Sequence, residues 1–213
     1  MRRNDVVFGG SMSSPQTLVW RHTQAREEFQ AALVQRETPI PDRVDASPGT
    51  WRLPNPGWVK VNWDASLEPR SGIMAWAVVI RDQRGQLIVA KCMSRQGHLT
   101  PLAAEAYTAL MATKQCKAMG LQNIHFEGDA KAVVDAVNSA EEDRSKVGHI
   151  IEDIKSEVQS FVRWKMTFIR REGNNVAHVL AKYASHHALN NTWQEPPDCI
   201  RDLILLESSA LVQ

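Results

Sequence analysis

Eight consecutive residues without a polar side chain, Ile73-Met-Ala-Trp-Ala-Val-Val-Ile80, constrain this chain more than any other feature in it. The run is far shorter than the ~20 residues needed to span a bilayer. It reads as a β-strand covered on both faces. Such a strand needs a packed layer above and below it, which predicts an α/β fold with helices on both faces of a sheet.

Neighbouring segments supply the rest of that sheet. Over Trp58–Ala65, Val59, Val61 and Trp63 alternate with Lys60, Asn62 and Asp64, the period of two expected of a strand. Asp82-Gln-Arg-Gly85 is a turn in which Gly85 suits a left-handed position, and Gln86–Arg95 returns as a third, antiparallel strand. A helix then starts at Thr100, a good N-cap, and Pro101, suited to the first helical position. Its small residues Ala103, Ala104, Ala106, Ala109 and Ala112 allow close packing on a sheet. Lys114, Lys117 and Gly120 mark its end. Asn123–Gly128 is a fourth strand, followed by helices at Asp129–Ser139 and Lys146–Phe161. Arg163–Arg170 is a fifth strand, Glu172-Gly-Asn-Asn175 a turn and Val176–Leu189 a last helix. The order β-β-β-α-β-α-α-β-α predicts a five-stranded mixed sheet, an antiparallel meander joined to parallel strands.

The first fifty residues differ. Ala25, Phe29, Ala32 and Leu33 fall at helical spacing within 17–36, and the proline-dense stretch from Glu37 to Gly57 reads as a linker. The expected organisation is an extension over 1–50, the linker end at 51–57, a folded domain at 58–190 and a tail at 191–213. A net charge of +1 with 23% charged residues does not announce a polyanion partner, so contact with nucleic acid would rest on local placement of Lys and Arg. Cys92, Cys116 and Cys199 have no metal-ligand spacing and read as reduced thiols of an intracellular protein, cytoplasmic or nuclear. No apolar signal core follows the basic start at Arg2-Arg3, and no membrane partner is expected.

Three acids stand where acids are awkward. Asp64 ends the first strand, Glu105 lies between Ala104 and Ala106 early in the alanine-rich helix, and Asp129 follows Gly128 where the fourth strand gives way to a helix. Alone, each has an ordinary role: Asp64 as a turn residue, Glu105 as a favourable charge in a first helical turn, Asp129 as a helix cap. Together, on strand ends and the helix packed across them, they can converge. With no evident Lys or Arg among them their mutual repulsion calls for a bound cation, and all-oxygen ligands suit Mg²⁺ or Mn²⁺. Other candidates are weaker. His186 and His187 face apart on a helix, Trp63, Trp76 and Trp164 fit core positions, and Trp51 and Trp58 pin the linker to the domain. Arg163, Lys165, Arg170 and Arg171 cluster around the fifth strand, where they either meet phosphates or solvate an edge.

Five segments in order carry a family resemblance: Val59-Lys-Val-Asn-Trp-Asp-Ala-Ser66, Ala77-Val-Val-Ile-Arg-Asp-Gln-Arg-Gly85, Ala103-Ala-Glu-Ala-Tyr-Thr-Ala-Leu110, Phe126-Glu-Gly-Asp129 and Arg170-Arg-Glu-Gly-Asn-Asn-Val-Ala-His-Val-Leu-Ala181. Over about 58–189 the chain resembles the plant ribonuclease H-like domains related to retroelement reverse transcriptases. The opening Arg2-Arg-Asn-Asp-Val-Val-Phe-Gly9 resembles the segment between reverse transcriptase and ribonuclease H in plant non-LTR retroelements, so the chain is expected to be a piece of such a polyprotein or a gene derived from one. The resemblance implies a ribonuclease H-like fold and an endonuclease that cuts the RNA of RNA–DNA hybrids; a monomer is expected. It implies metal ligands at Asp64, Glu105, Asp129 and, where the family carries a fourth acid, His178. Two ions about 4 Å apart would clamp the scissile phosphate, with Asp64 bridging them. His178 is a ligand, a proton shuttle or a solvated helix residue, with Glu172 a nearby acid that would partly compensate. Asn62, Ser66, Arg70 and Ser71 would read RNA 2′-hydroxyls. The alternative is a nucleic-acid-binding module of retroelement origin with weak or no turnover.

Overall fold

The computed structural model describes residues 50–209. The helix expected over 17–36, the linker up to residue 49 and the segment 2–9 lie outside them. The described chain runs through β1 (Val59–Glu68), β2 (Ile73–Arg81), β3 (Leu87–Gln96), α1 (Pro101–Ala118), β4 (Asn123–Gly128), α2 (Lys131–Asn138), α3 (Gly148–Val158), β5 (Arg163–Phe168), a 3-10 turn (Arg171–Asn174), α4 (Asn175–His187), β6 (Asn190–Trp193) and α5 (Asp198–Ser209).

The strands form one mixed sheet in the order β5-β4-β1-β2-β3-β6. β1, β2 and β3 are the expected antiparallel meander, and β4 and β5 add parallel strands on the other side of β1. The sheet has six strands rather than five. The sixth, Asn190–Trp193, pairs antiparallel with β3 through Ala90↔Trp193 to Met93↔Asn190. It is short and mostly polar, so no alternation of apolar residues signals it. Pairing with β3 makes it a strand, and its polar residues blunt the new edge.

Both faces of the central strands are covered, as the apolar run in β2 requires. One face carries Val59, Val61 and Trp63 beside Val78, Ile80, Ile124 and Phe126, all buried. Against it lies α1, which turns Ala106, Ala109 and Ala112 inward; α3 packs on α1 and α2, with Ile151 and Ile154 buried. The other face carries Ala75, Ala77, Val79, Ala90 and Cys92, which pack on Val176, Ala177, Leu180, Ala181 and Ala184 of α4 and on Ile200 and Ile204 of α5. Residues 191–209, part of the tail expected over 191–213, therefore extend the sheet and close this second core layer.

The alternating polar residues of β1 belong to that second face and are buried with it. Lys60 is 2% exposed and Asn62 1%. Lys60 pairs with Glu127 at 2.7 Å. His125 Nε2 lies 2.7 Å from Thr167 Oγ1, and burial drives its ring pKa down to about 2, so it is a neutral partner within the sheet. Trp51 is buried against this layer: its indole donates to Asn62 Oδ1 at 3.0 Å and stacks 3.5 Å from the Arg81 guanidinium.

Candidate metal centre

Asp64, Glu105 and Asp129 meet. Each offers an oxygen within 4.8 Å of those of the other two. Asp64 comes from the interior of β1, which runs on to Glu68, so it is a strand residue and not a turn residue; it is fully buried. Its neighbour on β2 is Ala77, whose small side chain leaves room beside the carboxylate. Glu105 lies beyond the first turn of α1, which holds no acid, so it does not serve the helix dipole there. Asp129 leaves the end of β4, next to β1. The residue that caps α2 is Ala130, so Asp129 is not a helix cap.

Gly128 makes this junction possible. It is paired with Trp63, and a Cβ at Gly128 would stand 2.3 Å from two carbons of the Trp63 ring. The indole thus lies against bare backbone. Below Asp129, Asn174 donates from Nδ2 to Asp129 Oδ1 at 3.1 Å and to the Trp63 carbonyl at 2.8 Å. Asn62 supports Asn174, donating to its Oδ1 at 3.3 Å, while Asn62 Oδ1 accepts from Arg81 at 2.9 Å.

The electrostatics of the cluster are those of crowded, buried acids. Burial, then the Asp64 and Asp129 charges, push Glu105 up to about 9. Burial lifts Asp64 to about 6 against the opposing hydrogen bond of His178. Glu105 Oε1 accepts from the Ala65 amide at 3.3 Å. Glu105 Oε2 and Asp64 Oδ1 are buried without a hydrogen-bond partner. Unpartnered buried carboxylate oxygens are costly, and a divalent cation is the ligand that would satisfy both at once. The residues present fit such an ion.

His178 lies on α4 with Nδ1 3.1 Å from Asp64 Oδ2 and its side chain 30% exposed. It stands beside the cluster, against one acid only. Arg171 corrects the expectation that no cation stands among the acids. Its Nε lies 2.8 Å from Asp129 Oδ2, Nη1 lies 3.9 Å from Asp64 Oδ1, and Nη1 also contacts His178 Nδ1. The sequence groups Arg171 with the basic residues around β5, but the 3-10 turn carries it over the acids. Asn174 is a further site residue that the sequence reading misses. The signal for both is their place inside the Arg170–Ala181 segment. Glu172 is exposed on the same turn.

The expected RNA readers do not gather here. Asn62 is buried beneath the acids with its side chain committed to protein partners, so it cannot reach a 2′-hydroxyl. Ser66 Oγ lies 3.1 Å from Ser185 Oγ, and Arg70 and Ser71 are exposed in the turn between β1 and β2. His186 contacts Glu68 at 4.0 Å and His187 bonds the Tyr183 carbonyl, so the two histidines share no site.

This chain belongs to the reverse transcriptase-like family, which it matches over residues 62–184, more than half its length. Its fold is that of ribonuclease H. RNase H1 from the halophilic archaeon Halobacterium salinarum is 20% identical with a TM-score of 0.57, over 62% of this chain and 99% of that one. The N-terminal RNase H domain of a Mycobacterium tuberculosis protein is 16% identical with a TM-score of 0.56, over 62% and 95%. LC11-RNase H1, solved in complex with an RNA/DNA hybrid, is 18% identical with a TM-score of 0.55, over 62% and 99%. No curated protein matches by sequence. Among the described residues no helix is long and apolar enough to cross a membrane.

Proposed function

We propose that this protein is a divalent-metal-dependent endonuclease that hydrolyses the RNA strand of RNA–DNA hybrids. The observation that carries the reading is the meeting of Asp64, Glu105 and Asp129 within 4.8 Å, with two buried oxygens left without hydrogen-bond partners. In this reading Asp64, Glu105, Asp129 and His178 would hold two Mg²⁺ or Mn²⁺ ions, and Asp64 faces both the other acids and His178. Bound ions supply neutralisation of phosphate charge and a nucleophilic water at neutral pH. The protein's part is positioning. Asn174 fixes one Asp129 oxygen, the Ala65 amide fixes one Glu105 oxygen, and β1 holds Asp64 rigidly in a layer that excludes water. His178, partly open to solvent beside Asp64, can also carry a proton to a departing oxygen. This reading takes the protein as a monomer derived from a plant retroelement; the reverse transcriptase-like match supports only the link to reverse transcriptases.

The test is cleavage of a labelled RNA–DNA hybrid in Mg²⁺ and in Mn²⁺. Wild-type protein should cut the RNA strand, and Asp64→Asn should lower the rate by at least about a hundredfold while leaving the circular-dichroism spectrum unchanged. His178→Asp, which adds a charge that imidazole lacks, should raise the Mg²⁺-dependent rate. One observation favours a second reading: Arg171 already neutralises Asp129. A binding module without turnover would retain the hybrid in both metals and cut it in neither.

A further inference from the structure

We infer that Arg171 is a tethered counter-cation of the acidic cluster, which a divalent ion must displace, so that this residue sets the metal affinity of the site. The inference rests on the metal-centre reading above. Arg171 Nε takes Asp129 Oδ2 at 2.8 Å and Nη1 faces Asp64 Oδ1 at 3.9 Å, so one side chain spans two of the three acids that would ligate an ion. A guanidinium cannot be deprotonated in a protein, so it remains a competitor at every accessible pH. Its side chain is 54% exposed, so it can swing outward without unpacking the core.

A second observation concerns the ring nitrogen that lies between the two residues. His178 Nδ1 faces Asp64 Oδ2, which needs a donor, and Arg171 Nη1, which needs an acceptor. One ring nitrogen can donate or accept but cannot do both. Outward movement of Arg171 removes that conflict and frees Asp129 Oδ2 for an ion. Asp129 keeps its place because Asn174 holds its other oxygen. An ion at the acids and a guanidinium on the same oxygens would also repel each other.

The experiment is Mn²⁺ titration by calorimetry, without nucleic acid, of wild-type protein, Arg171→Ala and Arg171→Gln. Both variants should bind Mn²⁺ roughly tenfold more tightly than wild type. A purely structural role would not produce this gain, since a loosened site binds more weakly. Equal or weaker binding by both variants, with wild type still binding Mn²⁺, overturns the inference and leaves the metal centre standing. Absence of Mn²⁺ binding by all three proteins overturns the metal centre itself, and the role of Arg171 with it.

Discussion

Glu105 is a carboxyl group in a place that disfavours its charged form. Burial first, and then Asp64 and Asp129, raise it from an ordinary 4.5 to about 9. Because its folded value lies above its unfolded one, the stability it contributes is complete below about 4.5 and is lost as pH climbs towards 9. Glu105→Gln should therefore raise the melting temperature at neutral pH by a few degrees, at about 2–4 °C per kcal/mol, with the gain over wild type growing between these limits. Thermal unfolding across a pH series measures this. The same variant should bind Mn²⁺ less tightly, since it trades an anionic ligand for an amide. Wild-type binding should release protons and strengthen as pH rises, because Glu105 must ionise to serve as a ligand.

At the scale of elements, the junction between β4 and α2 is the least forgiving. Trp63 of β1 lies against Gly128 so closely that any side chain there meets the indole. Gly128→Ala should cost about 1–3 kcal/mol by overpacking, read by chemical denaturation, and should weaken Mn²⁺ binding because Asp129 is the next residue. Element boundaries also decide the roles of the acids. In the sequence Asp64 looks like the end of a strand because Ser66, just beyond it, suits a turn. β1 continues to Glu68 because β2 offers partners as far as Ile73. Asp129 looks like a helix cap because its sequence context suits one, yet the cap falls at Ala130. Local propensity proposes such roles and pairing overrides them.

At the scale of the whole molecule, the C-terminal segment and the site belong to one structure. Ile200 is fully buried against the α4 face of the sheet. Ile200→Ala should cost about 2–5 kcal/mol, measured as a lower denaturation midpoint. Glu207 of α5 pairs with Arg81, Arg81 reaches Asn62, Asn62 supports Asn174, and Asn174 holds Asp129. This chain of contacts is invisible in the sequence, where the two partners of a single contact are separated by up to 126 positions. The spacing of Ile200, Leu203 and Ile204 does carry a helical period, but only the sheet face it covers gives that period a meaning.

The meander, the alanine-rich helix, the parallel additions and the identity of the three acids were legible in the order of residues. They rest on local periodicity, turn residues and small side chains, which act over a few positions. Three features came only from folding in three dimensions: a sixth strand at Asn190–Trp193, the burial of Asn62 as support and not as a surface reader, and the place of Arg171 among the acids. Each of these depends on what lies opposite in space. A hydrogen-bonding edge, a covering layer or a neighbouring charge changes the free energy of a side chain without leaving any mark on the residues beside it in sequence.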